Sequence, residues 1–94
     1  MPLRFEWDAA KARANLRKHR VSFEEASSAF ADPLSLTIPD PDHSAGEERF
    51  LLLGRSATGQ LLVIAHVERD DDIRLISARR ATRGERHVYQ EGFA

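Results

Sequence analysis

The sequence predicts an α+β domain: an antiparallel β-sheet with two N-terminal helices and a C-terminal helix packed on it, in the order β-α-α-β-β-β-β-α. Three observations carry this reading. Three helix-start signals, at Asp8, Ser22 and Thr82, each precede a stretch with apolar residues three to four apart. Between Arg49 and Ala78 the pattern is strand throughout, broken only by two short polar turns. Finally, 94 residues leave room for one core, so residues 1–94 form a single domain.

The chain opens with Leu3 to Glu6, where Leu3 and Phe5 alternate with Arg4 and Glu6 as in an edge strand. Asp8 caps the first helix. Ala9, Ala12 and Leu16 form its apolar face, with Lys11, Asn15 and Lys18 on one neighbouring stripe and Arg13, Arg17 and Arg20 on another. Ser22 with Glu25 reads as a capping box for a second helix, whose stripe of Phe23, Ala26 and Phe30 ends at Asp32 and Pro33. Leu34 to Ile38 follows as a strand, and Pro39 to Glu48 as an acidic loop.

Arg49 to Gly54, Leu61 to Glu68 and Ile73 to Ala78 form two consecutive hairpins. A second turn centred on Asp70 and Asp71 pairs Glu68 with Ile73 and His66 with Leu75, and puts Arg74 on the face of Ala65, Val67 and Arg69. The corresponding register for the first hairpin sets Arg49 opposite His66. Thr82 with Glu85 is another capping box, opening a helix that runs to about Gln90 and spaces Arg86, Tyr89 and Phe93 along one side.

Composition narrows the function classes. The chain has no cysteine, so disulfides and thiolate metal sites are excluded and a reducing cytoplasm fits. No apolar run approaches the roughly 20 residues of a membrane span, and the first residues lack the apolar core of a signal peptide, so a soluble cytoplasmic protein is expected. The net charge of -1 hides segregation. Residues 1–20 carry six bases against two acids, residues 21–48 seven acids and no Lys or Arg, and residues 49–94 eight bases against six acids. Such a chain either binds a polyanion on one side and a basic partner on another, or interleaves its segments so that they cancel.

The densest basic feature is Ile73 to Arg86, which holds five of the twelve arginines at a strand-to-helix junction. Arg79 and Arg80 sit where helix-start N–H groups also favour an anion, which is a phosphate-binding layout.

Several blocks, in order and spacing, resemble one family. They are Phe5-Glu6-Trp7-Asp8 with Lys11 and Asn15; Lys18-His19; Val21 to Ala26; Phe30 with Asp32-Pro33; Glu48-Arg49; the Gly54 turn; and Ile73 to Ala81 with Glu85-Arg86 and Tyr89. Together they resemble the BrnT toxins over nearly the whole chain. Arg20 departs from the pattern, since the family often has glycine after Lys-His. The resemblance implies a RelE-like ribonuclease fold and a type II toxin-antitoxin role. It also implies a DNA-binding BrnA-type antitoxin that forms a hetero-oligomer with the toxin and carries it to operator DNA.

RNA cleavage without a metal needs a base for the 2′-hydroxyl, cations for the phosphorane and an acid for the leaving oxygen. Arginine suits the second task, because its planar fork holds two phosphate oxygens and stays charged when partly desolvated. The expected catalytic set is Lys18, His19, Arg49, Arg79 and Arg80, and Lys11, Arg69, Arg74 and Tyr89 are expected to bind RNA. No cofactor or metal is expected: the histidine spacings match no zinc pattern, and the aspartates at 70–72 read as a solvated turn. His66 reads as a core or edge residue, and His43 and His87 carry no assignment. The acidic loop offers a landing place for a basic stretch of the antitoxin. A rival reading keeps the same arginines but makes the domain a non-catalytic nucleic-acid- or antitoxin-binding module acting as corepressor.

Overall fold

The computed structural model describes residues 3–40 and 47–92. Its elements are β1 (Arg4–Glu6), α1 (Ala9–His19), α2 (Phe23–Ser28) with a 3-10 turn (Ala29–Ala31), β2 (Leu36–Pro39), β3 (Arg49–Arg55), β4 (Leu61–Arg69), β5 (Asp72–Arg80) and α3 (Arg83–Glu91). The expected element order holds. The strands form one sheet in the order β1-β5-β4-β3-β2, antiparallel except that β1 runs parallel to β5. A parallel neighbour needs a long connection, and here almost the whole chain intervenes between the two strands.

The sheet separates two apolar layers. On one face, Leu52, Leu62, Ile64, Ile73, Leu75 and Ala78 meet Val21, Phe23, Ala26 and Ala29 beneath α1 and α2. On the other, Leu61, Val63 and Ala81 pack with Leu51, Leu53 and Tyr89 beneath α3. β4, the central strand, is buried from Leu61 to Ile64 and at His66 and Val67, half-buried at Ala65 and exposed at its end. Gly54 lets the 3-10 turn approach β3, since a Cβ there would stand 3.0 Å from the Ala29 carbonyl oxygen and 2.9 Å from Leu52.

Two details of the N-terminal third differ from expectation. Leu16 is 49% exposed while Asn15 is buried. The reason is polar: α1 lies against the edge of β5 beyond the end of β1, where backbone groups need partners. Asn15 donates through Nδ2 to the Ala78 and Val21 carbonyls, both at 2.9 Å, and accepts from the Ala78 N–H at 3.0 Å. Ser22 does cap α2, accepting from the Glu25 N–H. The Glu25 carboxylate, however, reaches Ser56, Thr58 and Gln60, holding the β3–β4 turn to the helix layer.

The β4–β5 register pairs His66 with Leu75 and Glu68 with Ile73, as the symmetric turn predicts. The first hairpin is shifted by one residue: Arg49 pairs with Val67, and His66 pairs with Phe50. Because side chains alternate across a strand, that shift sets Arg49 and His66 on opposite faces.

Candidate nucleic-acid interface

The cationic side chains converge on β5 because of an irregularity in that strand. Arg74 and Arg79 are five residues apart, which in a regular strand places them on opposite faces. Here Ala65 pairs with Ser77 while the next residue, His66, pairs with Leu75, so Ile76 bulges out of the ladder. The parity resets. Arg74, Ser77 and Arg79 share the α3-side face with Arg49, Ala65, Val67 and Arg69. α3 covers the end of this face near Leu61 and Val63, and among the described residues the arginine-bearing half stays open.

Two clefts meet at the bulge. On the open face, Arg49 and Arg79 line a cleft with Asp40, Leu51, Ala65, Ile76 and Ser77. Along the β5 edge, Lys11, Lys18 and His19 line a second with Ala14, Asn15, Ile76 and Ser77. Ile76 and Ser77 belong to both, so the α1 cations and the sheet arginines flank one two-residue segment. Asn15 fixes this juxtaposition by tying α1 to Ala78, two residues beyond the bulge.

The α1 end of the site depends on two local features. Asp8 caps the helix through the Lys11 N–H, and Arg20 ends it in the left-handed region at φ 60. Glycine adopts that conformation at lower cost. The turn is nevertheless made, and Lys18 and His19 occupy the last turn of the helix.

Arg79 is held by a carboxylate. Its Nη1 and Nη2 donate to Glu85 Oε1 and Oε2 at 2.8 and 2.9 Å, and Glu85 Oε1 also accepts the Thr82 N–H that starts α3. The hydrogen bonds from Arg79 hold the Glu85 carboxyl down at about 2, and the same pairing raises the Arg79 guanidinium. The anion-attracting start of α3 is thus occupied by the chain's own Glu85, which corrects the phosphate layout expected there. Arg79 contributes to the open face instead.

The remaining candidates divide by position. Arg69 is paired with Glu47 and lies 3.9 Å from Glu6, which is 4.0 Å from Arg74. Hydrogen bonding from Arg69 lowers the exposed Glu47 carboxyl. Arg80 lies on the opposite face from Arg79 and donates to Gln60. Tyr89 packs in the α3 layer, donates its hydroxyl to Asp32 at 2.6 Å and carries Arg55 over its ring at 5.3 Å. His66 is fully buried, with Nδ1 3.2 Å from the Ile64 carbonyl, Nε2 3.0 Å from Glu68, and the Phe30 and Phe50 rings beside it. His87 is exposed beside Glu91. His43 and the centre of the acidic loop fall outside the described residues.

Sequence reasoning missed Ile76 and Ser77 as the floor of both clefts, and Asn15 as the residue that joins them. For Asn15 a signal existed: it is the one uncharged residue of the stripe it shares with Lys11 and Lys18, next to the apolar face. Among the described residues, no group of three or more His, Asp or Glu side chains is placed to hold a metal ion. No helix among them is long and apolar enough to cross a membrane.

Comparison with known proteins agrees with this architecture. Residues 7–85 match the family model described as "Ribonuclease toxin, BrnT, of type II toxin-antitoxin system". The 1.1 Å crystal structure of the Brucella abortus ribonuclease toxin BrnT aligns over 86% of this chain and 99% of its own, with a TM-score of 0.67 and 17% identity. A comparison with curated proteins gives no match. The matched span takes in α1, the whole sheet from β2 to β5 and the Thr82 to Glu85 start of α3, and on that basis the chain belongs to the BrnT family of ribonuclease toxins of type II toxin-antitoxin systems.

Proposed function

We propose that this chain is a cytoplasmic endoribonuclease that cleaves RNA without a metal, inhibits translation and growth, and is neutralised by a BrnA-type antitoxin that carries the complex to operator DNA. One observation supports it most: Arg49 and Arg79 on the sheet face and Lys11, Lys18 and His19 on the α1 edge border the same Ile76 and Ser77. In this reading a single RNA strand crosses β5 at the bulge. Arg49 and Arg79 stabilise charge on the phosphorane, and His19 with Lys18 beside it handles the protons. Lys11, Arg69 and Arg74 hold flanking phosphates. Arg80 and Tyr89 have weaker support, since Arg80 is engaged by Gln60 on the far face and Tyr89 by Asp32 and Arg55.

The cations can supply the charge stabilisation that a metal otherwise provides, so the test is cleavage of RNA in EDTA by the purified chain. Cleavage that persists in EDTA and falls steeply, though to a measurable rate, in Arg79→Ala and Arg49→Ala is the expected result. Intact RNA despite tight binding favours the corepressor reading, and cleavage lost only on chelation overturns metal independence. His19→Gln is expected to remove the histidine inflection from the pH–rate profile, and an inflection that survives moves the base elsewhere.

A further inference from the structure

We propose that Glu85 is a positioning residue for the ribonuclease reaction, fixing the Arg79 guanidinium at the wall of the open-face cleft. This rests on the assignment of Arg79 to phosphate stabilisation made above. A helix cap needs only one carboxylate oxygen. Glu85 Oε1 fills that role by accepting the Thr82 N–H at 2.8 Å, yet the same oxygen also takes Arg79 Nη1, and Oε2 takes Arg79 Nη2 at 2.9 Å. The second oxygen does nothing for the helix start. A glutamine completes a capping box as well as glutamate does, but it cannot accept both arms of a guanidinium fork.

The direction of approach gives the pairing its use. Glu85 borders the apolar groove beside α3 with Leu36, Ile38, Leu51, Leu53 and Val88, whereas Arg79 borders the cleft shared with Arg49, and Leu51 lines both. The carboxylate therefore grips the guanidinium from the α3 groove, which adjoins that cleft at Leu51. It holds Nη1 and Nη2 end-on and leaves Nε out of the grip. The Arg79 side chain stays 40% exposed while anchored, so a flexible cation becomes a fixed one before RNA arrives. The anchor continues into the backbone, because Thr82 Oγ1 accepts the Glu85 N–H and closes the loop from β5 to α3.

The test compares Glu85→Gln, Arg79→Ala and the double variant in steady-state cleavage of a short RNA. Glu85→Gln preserves the cap acceptor but gives up the ion pair, so its Tm at neutral pH should fall by several degrees while the protein stays fully folded at the assay temperature. Its kcat should fall roughly 10- to 100-fold with a much smaller change in KM. In the Arg79→Ala background the same substitution should add less than about twofold, because its effect passes through Arg79. A parental kcat in Glu85→Gln, a higher one, or losses that multiply in the double variant would overturn the proposal. If Arg79→Ala cleaves at the parental rate, the assignment of Arg79 fails first and this inference with it.

A second readout needs no cleavage. In the 15N spectrum the Arg79 Nη groups should give separate, slowly exchanging resonances in the parent that average together in Glu85→Gln. Resonances that are averaged in both proteins would overturn the grip itself, even where cleavage is lost.

Discussion

At the scale of single residues, the Arg79–Glu85 pair makes stability depend on acid. The hydrogen bonds from Arg79 set the Glu85 carboxyl at about 2, below its ordinary 4.5, outweighing an upward pull from burial, with a lesser contribution from the Thr82 N–H in the same downward direction. A lowered carboxyl stabilises the fold above its unfolded value, and that contribution disappears as pH falls from about 4.5 through about 2. Asp32 adds to the same trend. Burial pulls its carboxyl up, but the Tyr89 hydroxyl, the Arg55 and Leu34 N–H groups and the Arg55 charge outweigh it and hold it low. Denaturation midpoints measured between pH 2 and pH 6 should therefore fall on acidification in the parent, and fall less steeply in Glu85→Gln. Equal slopes in the two proteins would show that the pair contributes nothing. The sequence shows Thr82 and Glu85 as a capping box and Glu85 as a nearby partner for the arginines from Arg79 to Arg86, but not that Arg79 is the one it takes, because the strand-to-helix corner has to close before the two side chains meet.

At the scale of elements, the placement of α1 decides whether its cations reach the sheet, and Asn15 decides the placement of α1. Its amide satisfies the Ala78 N–H and the Val21 and Ala78 carbonyls in a buried position. Asn15→Ala leaves those three groups without their partner, and the expected cost is about 2–4 kcal/mol, measurable by urea denaturation. Asn15→Asp keeps an acceptor for Ala78 N–H but turns a carboxylate oxygen toward two carbonyls, so it should cost at least as much. A loss under about 0.5 kcal/mol in Asn15→Ala would place the hold on α1 in the apolar contacts of Ala12 and Trp7 instead. The element order was legible because caps, apolar spacing and turn residues are local. The Ile76 bulge, the parallel β1 and the one-residue shift of Arg49 were not, since each is chosen by pairing between distant segments. The bulge matters most: five residues of separation argue that Arg74 and Arg79 diverge, and one unpaired residue reverses that.

At the scale of the whole molecule, the segregated charges of the sequence fold back on one another only in part. Glu47 meets Arg69, Asp32 meets the Arg55 backbone and the Tyr89 hydroxyl, and Glu25 holds the β3–β4 turn. These contacts quiet some of the acidic segment and some of the basic one. They also sort the arginines into those anchored far from the clefts, such as Arg55, and those bordering Ile76 and Ser77. The sorting predicts how RNA binding responds to salt. Each phosphate neutralised on a single strand contributes about −0.7 to the slope of log affinity against log salt, and a strand crossing from the α1 edge to the sheet face meets Lys11, Lys18, Arg49 and Arg79. With Arg69 and Arg74 on flanking phosphates as well, the parent should show a slope of roughly −3 to −4, read by fluorescence anisotropy of a 2′-O-methyl RNA that cannot be cleaved. Lys18→Ala and Arg49→Ala should each reduce its magnitude by about 0.7, whereas Arg55→Ala, which removes a cation stacked on Tyr89, should leave it unchanged. If Arg55→Ala flattens the slope as much as Lys18→Ala does, RNA tracks over the α3 end of the sheet rather than across the bulge. Lys18 is the stricter of the two positive tests, because it stands on a different element from the arginines and shares a slope with Arg49 only if one strand touches both clefts.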